Sequence, residues 1–354
     1  MSLVIGIVGL PNVGKSSLFN ALTKGNALVE NRPFATIEPN LGIVKLLDPR
    51  VTYISKVVNP EVTTYSIVKF LDIAGLVKGA SKGEGLGNKF LEHIRSVNAI
   101  CLVVRAFDDP SVLSVNNTTD PIFEAEIVLC ELIYADLEMV DNILRKLKSN
   151  DSKITLLKRI KEHLENNKLV KNLNLSEEEK EELKIYSFLT SKSIILLANT
   201  DDSENSKKYL EKIKEYASNI NASYLELNIK LENEISELSE EEQKEFLENL
   251  RENKSCLDDL ISLAFRALKL KTFFTVGKKE VRSWTFKENS YAPQCAGLIH
   301  SDIERGFIKA KVIKYEDFLK CGDLKILKQK GKVSLEGKKY LMQDGDIVEF
   351  EFNV

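Results

Sequence analysis

Apolar residues follow two different spacings along this chain. Leu3–Val8 is a short apolar, β-branched run ending in a glycine-rich turn, after which Ser16–Thr23 takes a helical pattern. Ser66–Ala74, Ala99–Phe107, Ser193–Ala198 and Ser223–Asn228 repeat the strand signature, with helical stretches between several of them. Strands alternating with helices predict a parallel, doubly wound α/β sheet. Between Phe107 and Lys192 the period changes. Ile133, Leu137, Val140, Leu144 and Leu147 recur at spacings of four and three, which predicts one long helix over about 122–148. Leu157, Ile160 and Leu164 continue the seam on a second helix, and Ser176 with Glu179 fits a capping box that starts a third. These helices read as a hairpin projecting from the sheet domain. Ser239 with Glu242 starts another helix by the same rule, and Leu260–Lys271 forms the last. From there the chain reads as strands and turns, a separate small α+β domain beginning near residue 271.

Composition narrows the class. The chain has 354 residues, 43% hydrophobic and 29% charged, which suits a globular protein of two or more domains. No uninterrupted apolar run approaches the roughly 18 residues of a membrane span. The segment MSLVIGIVG lacks the basic stretch of a secretory signal. Five scattered cysteines (101, 130, 256, 295 and 321) form no metal-ligand spacing and read as reduced cytosolic thiols. Residues 271–354 carry 16 Lys and Arg against 12 Asp and Glu, while the whole chain is at −3. A mildly basic tail permits an RNA or phosphate partner without demanding one.

The chemistry concentrates after the first strand. Gly9-Leu10-Pro11-Asn12-Val13-Gly14-Lys15-Ser16 matches G-x-x-x-x-G-K-[ST], with a strand before it and a helix after it. The two glycines let backbone N–H groups turn inward around phosphate oxygens at the positive end of a helix. Gly9, Pro11, Asn12, Val13, Gly14, Lys15, Ser16 and Ser17 form the expected phosphate cradle. Lys15 reaches the β- and γ-phosphates and Ser16 ligates Mg²⁺. Asp72-Ile73-Ala74-Gly75 closes another strand: Asp72 is a metal-side carboxylate and the Gly75 N–H meets the γ-phosphate. Between the two motifs, Thr36 offers a second hydroxyl to the metal. The expected metal set is Ser16, Thr36 and Asp72, and the expected catalytic set is Lys15, Thr36 and Gly75. Leu76 follows the DxxG where Ras-like enzymes place a water-orienting Gln, so unaided hydrolysis is expected to be slow.

The runs GLPNVGKSSLFNALTK, RPFATIEPNLGIV and DIAGLVKGASKGEGLGNKFLEHIR resemble the YchF family of Obg-like ATPases. So do LKTFFTVGKKEVRSWTF, APQCAGLIHSDIERGFIKAKVIKYEDF and LEGKKYLMQDGDIVEFEFNV in the tail. The likeness covers nearly the whole chain and is weakest in the helical insertion and around 201–250. It implies a translation-factor-class P-loop NTPase of α/β class. Its G domain, with a parallel-rich sheet, would span 1–121 and 192–270. An inserted α-helical arm would span 122–191, and a C-terminal ubiquitin-like α+β (TGS) domain 271–354. It also implies ATP preferred to GTP, the ribosome or ribosomal RNA as partner, and cytoplasmic residence. Neither a membrane nor a DNA sequence is an expected target. Mg²⁺ is the implied cofactor, with K⁺ held near Asn12 as a second, charge-neutralising cation. The hydrophobic Leu76 agrees with the family pattern.

Two positions depart from that pattern. Ser114 stands where some members carry a loop histidine proposed to assist hydrolysis. In ANTDD, Asn199 and Asp202 take the outer positions of the N-K-x-D base-reading motif, and Thr200 replaces its lysine. The family generally has Glu where this chain has Asp202, a residue whose carboxylate matches guanine better than adenine. Missing lysine and missing Ser-Ala-Lys loop tilt the choice to ATP. A GTP-preferring Obg-type switch in ribosome assembly and a nucleotide-gated binding module with little turnover stay open.

Overall fold

The computed structural model describes residues 3–24, 40–73, 86–108, 120–148, 152–201, 203–249 and 256–353. The strands are β1 Leu3–Val8, β2 Leu41–Lys45, β3 Val62–Thr64, β4 Ile67–Asp72, β5 Ala99–Ala106 and β6 Ser193–Thr200. They continue with β7 Ser223–Leu227, β8 Leu270–Val276, β9 Glu280–Lys287, β10 Phe307–Lys314, β11 Ser334–Glu336 and β12 Asp346–Phe352. The helices of the first half are α1 Lys15–Lys24, α2 Pro49–Val58, α3 Leu86–Ser96, α4 Pro121–Lys146, α5 Lys153–Glu165 and α6 Glu177–Leu183. Then come α7 Glu204–Asn219, α8 Ile229–Ser236, α9 Glu240–Asn249 and α10 Cys256–Ala267. The tail adds α11 Ala292–Ile299, α12 Ser301–Arg305, α13 Tyr315–Cys321 and α14 Leu324–Gln329. By compactness the chain divides into two units, Leu3–Val44 with Lys69–Ala264 and Lys45–Val68 with Phe265–Val354.

In the first of these units the strand order is β2-β4-β1-β5-β6-β7, and β1–β5, β5–β6 and β6–β7 are parallel. β5 is buried along its whole length and β6 from Ile194 onward. That explains their continuous apolar runs, since strands of a parallel sheet are covered on both faces. From β1 the chain first builds β2 and β4 on one side and later β5, β6 and β7 on the other. The carboxyl end of β1 is therefore a topological switch point, where open α/β sheets bind ligands.

The inserted helices group with this sheet unit. Asp120 caps α4 by accepting from the Ile122 N–H at 3.0 Å, and Pro121 pre-sets the first turn. The buried stripe runs through Ala125, Val128, Leu132, Ala135 and Val140, so the expected seam residues Leu137, Leu144 and Leu147 lie half-buried at its margin. The capping box at Ser176 and Glu179 is present on α6, and Ser239 likewise caps α9 through Glu242.

Asp136 on α4 is fully buried, a position the apolar pattern does not announce. Its carboxylate accepts from Leu189 N at 2.9 Å, Thr190 N at 2.8 Å and Thr190 Oγ1 at 2.7 Å, tying α4 to the turn that precedes β6. Asp136→Ala leaves three buried donors without a partner and is expected to remove about 2–4 kcal/mol of stability in urea denaturation. Asp136→Asn, which keeps one acceptor oxygen, is expected to lose clearly less.

The second unit holds the expected strands of the tail and α11–α14 among them, an α+β unit. The last expected helix is α10, which ends at Ala267; Lys271 already belongs to β8. Its sheet order is β11-β10-β12-β8-β9-β3. β8–β9 and β10–β12 are antiparallel and the central β8–β12 pair is parallel, the arrangement of a ubiquitin-like fold. Phe273, Phe286, Cys295, Phe307 and Val348 form one core, and Phe274, Val281, Phe318, Leu327 and Ile347 another.

The sixth strand comes from elsewhere in the chain. Residues 45–68, expected with the phosphate-loop domain, pair β3 in parallel with β9 and bury Val51 and Ile54 of α2 in the second core. Arg50 joins Asp48 and Asp344 at 2.7 Å each and lies 5.2 Å over the Phe274 ring. No short local pattern signals such a strand, because its partner lies more than two hundred residues away.

Candidate nucleotide and metal site

The loop after β1 wraps closely. A Cβ on Gly9 would stand 2.5 Å from the Val103 carbonyl oxygen on β5, so only glycine fits beside that strand. At Gly14, φ is +103° and a Cβ would meet Asn199 Nδ2 at 2.6 Å. Asn12 turns the loop between them at φ 67° and is exposed. Val13 is buried, Pro11 half-buried, and Ser16 and Ser17 exposed on the first turn of α1. The Leu18 N–H donates to the Gly14 carbonyl at 2.9 Å and begins the helical ladder.

Lys15 is only 8% exposed, and its Nζ donates to the Leu10 carbonyl at 2.7 Å. Burial pushes its pKa below the usual lysine range, and the charge of Asp72 opposes that fall. A desolvated ammonium paired with a neutral carbonyl is poised for an anion, because the charge-assisted bond to a phosphate oxygen is the stronger one.

Ser16 Oγ lies 3.1 Å from Asp72 Oδ2, so the loop and the end of β4 meet as the two motifs require. The other oxygen, Asp72 Oδ1, is buried and has no hydrogen-bond partner. A buried carboxylate oxygen left unpaired is expensive and calls for an explanation. A hydroxyl beside such a carboxylate is a hard-oxygen donor set, and it fits Mg²⁺. Thr36 and Gly75 lie outside the described residues, as do Leu76 and Ser114.

Asn199 is 7% exposed at the end of β6, in register with Arg105 of β5. Its Nδ2 donates to the Val13 carbonyl at 3.0 Å, and its Oδ1 accepts from the Ile229 N–H at 3.3 Å. The side chain thus clamps the phosphate loop to the start of α8, where Asn228 caps the helix by accepting from Leu231 N at 3.1 Å. Thr200 is buried beside it. Asp202 lies outside the described residues. Its neighbour Asp201 is taken up by α7: burial opposes ionisation, but bonds from Ser206 and Ser203 hold its carboxyl below the usual range.

Sequence reasoning missed the resting partner of Lys15, the Leu10 carbonyl, and the clamp from Asn199 to Ile229. The first is a side-chain bond to a backbone carbonyl, which carries no residue signal; Asn228, a good N-cap before an apolar residue, hints at the second. Asn199→Ala strands the Val13 carbonyl and the Ile229 N–H. It is expected to weaken ATP and GTP binding alike, by about tenfold, in a calorimetric titration. A loss confined to one purine would mean that Asn199 reads the base rather than holding the loop.

A glycine loop at the switch point of a parallel sheet, with Lys15, Ser16 and Asp72 brought together, defines a P-loop nucleoside triphosphatase of the G-domain class. A family model described as 50S ribosome-binding GTPase matches residues 4–131. A second, YchF-GTPase_C, described as a protein of unknown function (DUF933), matches residues 270–353. The chain is 48% identical over 366 aligned positions to the ribosome-binding ATPase YchF of Bacillus subtilis (strain 168), with 100% of both chains covered. It is 42% identical over 363 positions to the ribosome-binding ATPase YchF of Haemophilus influenzae, again with 100% of both covered. The solved YchF GTPase of Schizosaccharomyces pombe aligns at a TM-score of 0.87 and 34% identity, over 99% of this chain and 98% of that one. The chain belongs to the YchF family. Among the described residues no helix is long and apolar enough to cross a membrane.

Proposed function

We propose that this chain is a ribosome-associated P-loop NTPase that hydrolyses ATP as a slow nucleotide-dependent switch. The observation that carries the reading is the convergence of Lys15, Ser16 and the half-satisfied Asp72 on the glycine loop. On nucleotide binding, the Lys15 ammonium exchanges the Leu10 carbonyl for β- and γ-phosphate oxygens. The Ser16 hydroxyl, donating to Asp72, keeps its lone pairs for a cation, and Ser16 and Asp72 would hold Mg²⁺ between them. Bound Mg²⁺ supplies neutralisation of the charge that builds on the phosphoryl oxygens. Thr36 as a further ligand and Gly75 as a γ-phosphate donor would complete the set, and Asn12 would help hold K⁺ as a second cation, as the family resemblance implies.

Leu76 has an aliphatic side chain and holds no water, so chemistry is slow until a partner acts. The choice of ATP draws support from the names of the relatives in Bacillus subtilis and Haemophilus influenzae, both ribosome-binding ATPases. It also draws on Thr200 in place of a base-flanking lysine. Asn199 enters the reading through its hold on the phosphate loop, which both purine nucleotides share. With a ribosome as partner, the compartment that goes with this reading is the cytoplasm. The test is phosphate release from ATP with and without 70S ribosomes. A slow basal rate that ribosomes accelerate is expected; a rate that ribosomes leave unchanged would reduce the chain to a nucleotide-gated binding module.

A further inference from the structure

We propose that Lys192 is a positioning residue for ATP turnover, which seats α3 and locks it to α4 so that the nucleotide site and the inserted helices respond together. It rests on the switch reading above and names the joint through which that switch reaches the inserted helices. α3 is the first described element after Asp72, and it ends at Ser96. The last carbonyls of a helix have no partner within it. Lys192 Nζ supplies one, donating to the Arg95 carbonyl at 3.0 Å and, just past the helix, to the Val97 carbonyl at 2.6 Å. Its ammonium also meets the negative end of the helix dipole. Lys192 is half-buried; burial draws its pKa below the usual lysine range, the charge of Arg95 adds to the fall and Asp136 opposes it. The ammonium has therefore given up water for this seat.

Lys192 closes the turn that precedes β6, and α4 grips the same turn. Asp136 of α4 holds the Leu189 and Thr190 N–H groups, and the Val170 N–H donates to Thr190 Oγ1 at 3.3 Å. Arg95 of α3 reaches both neighbours: its Nη1 lies 3.5 Å from the Ser187 carbonyl and 3.9 Å from Met139 Sδ on α4. The turn 187–192 is thus bonded to α3 through Arg95 and Lys192 and to α4 through Asp136. From this turn β6 runs on to Asn199, the clamp on the phosphate loop, seven residues beyond Lys192. At about 3.3 Å per residue that is about 23 Å, too far for Lys192 to touch a nucleotide. Its effect on the site runs through α3 or β6. A lysine that only caps a helix would lower stability when removed and leave the response of α4 to nucleotide as it was. A lysine that couples the two helices would take that response away.

The experiment follows amide hydrogen exchange of the full chain by mass spectrometry, without nucleotide and with Mg²⁺ and a non-hydrolysable ATP analogue. In the unaltered chain the analogue is expected to slow exchange at the phosphate loop and, by about fivefold or more, in α4 and the 187–192 turn. Lys192→Met is expected to keep the protection of the loop and to lose the response of α4. Its kcat for ATP falls about fivefold while KM stays within about twofold, because α3 follows the γ-phosphate motif rather than the loop that binds. Lys192→Arg, which keeps the charge and the donors, restores both. Asp136→Asn loosens the other side of the joint and is expected to lose the α4 response as well, so the test stands even if Lys192→Met does not fold. An α4 response that survives in the folded variants overturns the proposal and leaves Lys192 a helix cap. So does an α4 that ignores the analogue in the unaltered chain while the loop is protected. If neither the loop nor α4 responds in the unaltered chain, the NTPase reading itself fails and takes the joint with it.

Discussion

Lys15→Ala is expected to weaken Mg²⁺–ATP binding by about a hundredfold or more, which corresponds to about 2.7 kcal/mol. The lysine is buried at the phosphate loop, and its ammonium rests on a single neutral carbonyl, that of Leu10. Burial has already lowered its pKa, so much of the desolvation of this cation is in place before the nucleotide arrives. What the nucleotide adds is a charge-assisted bond in a poorly hydrated place, worth more than a surface contact. Stability should change little, since removing a desolvated charge offsets the bond lost by Leu10. Isothermal titration and a melting curve check both parts. Affinity retained in a folded Lys15→Ala chain would remove the phosphate site from this loop.

Asp72→Asn is expected to abolish the gain in nucleotide affinity that Mg²⁺ brings, and to slow ATP turnover by about 10²–10³-fold. Without metal the variant should bind nucleotide as well as the unaltered chain does. Asp72 Oδ1 is buried and has no hydrogen-bond partner, so one polar atom of the carboxylate goes unsatisfied within the fold. Replacing it with a neutral amide is expected to raise the melting temperature of the nucleotide-free chain while activity is lost, the pattern of a functional site that strains its fold. Titrations in Mg²⁺ and in EDTA, beside melting curves, separate these effects. An undiminished Mg²⁺ response would move the metal away from Asp72.

The parts of this molecule that could be read from the chain are those with local causes. The apolar runs of β1, β5 and β6 are legible because strands buried on both faces must be apolar throughout. The phosphate loop is legible because glycines, lysine and hydroxyl each answer a local requirement, and Gly9 and Gly14 prove to lie against Val103 and Asn199. Features with distant causes were not legible. β3 is three residues long and gains its place only by pairing with β9, so nothing in VTT distinguishes it from a loop. Asp136 sits on a helix among apolar residues, and its partners at Leu189 and Thr190 arrive more than fifty residues later. The helices α11–α14 are only five to eight residues long, too short for a helical period to show in the sequence. At ANTDD the structure adds a role to Asn199, a clamp on the loop, that the motif alone does not convey.

The central claim is that this site holds a magnesium–nucleotide complex and that the nucleotide is ATP. The most direct measurement titrates the full chain with ATP and with GTP, side by side, in Mg²⁺ and again in EDTA. ATP is expected to bind several-fold more tightly than GTP, and both are expected to weaken when Mg²⁺ is removed. GTP binding more tightly than ATP would contradict the purine assignment, and no binding of either nucleotide would contradict the site itself.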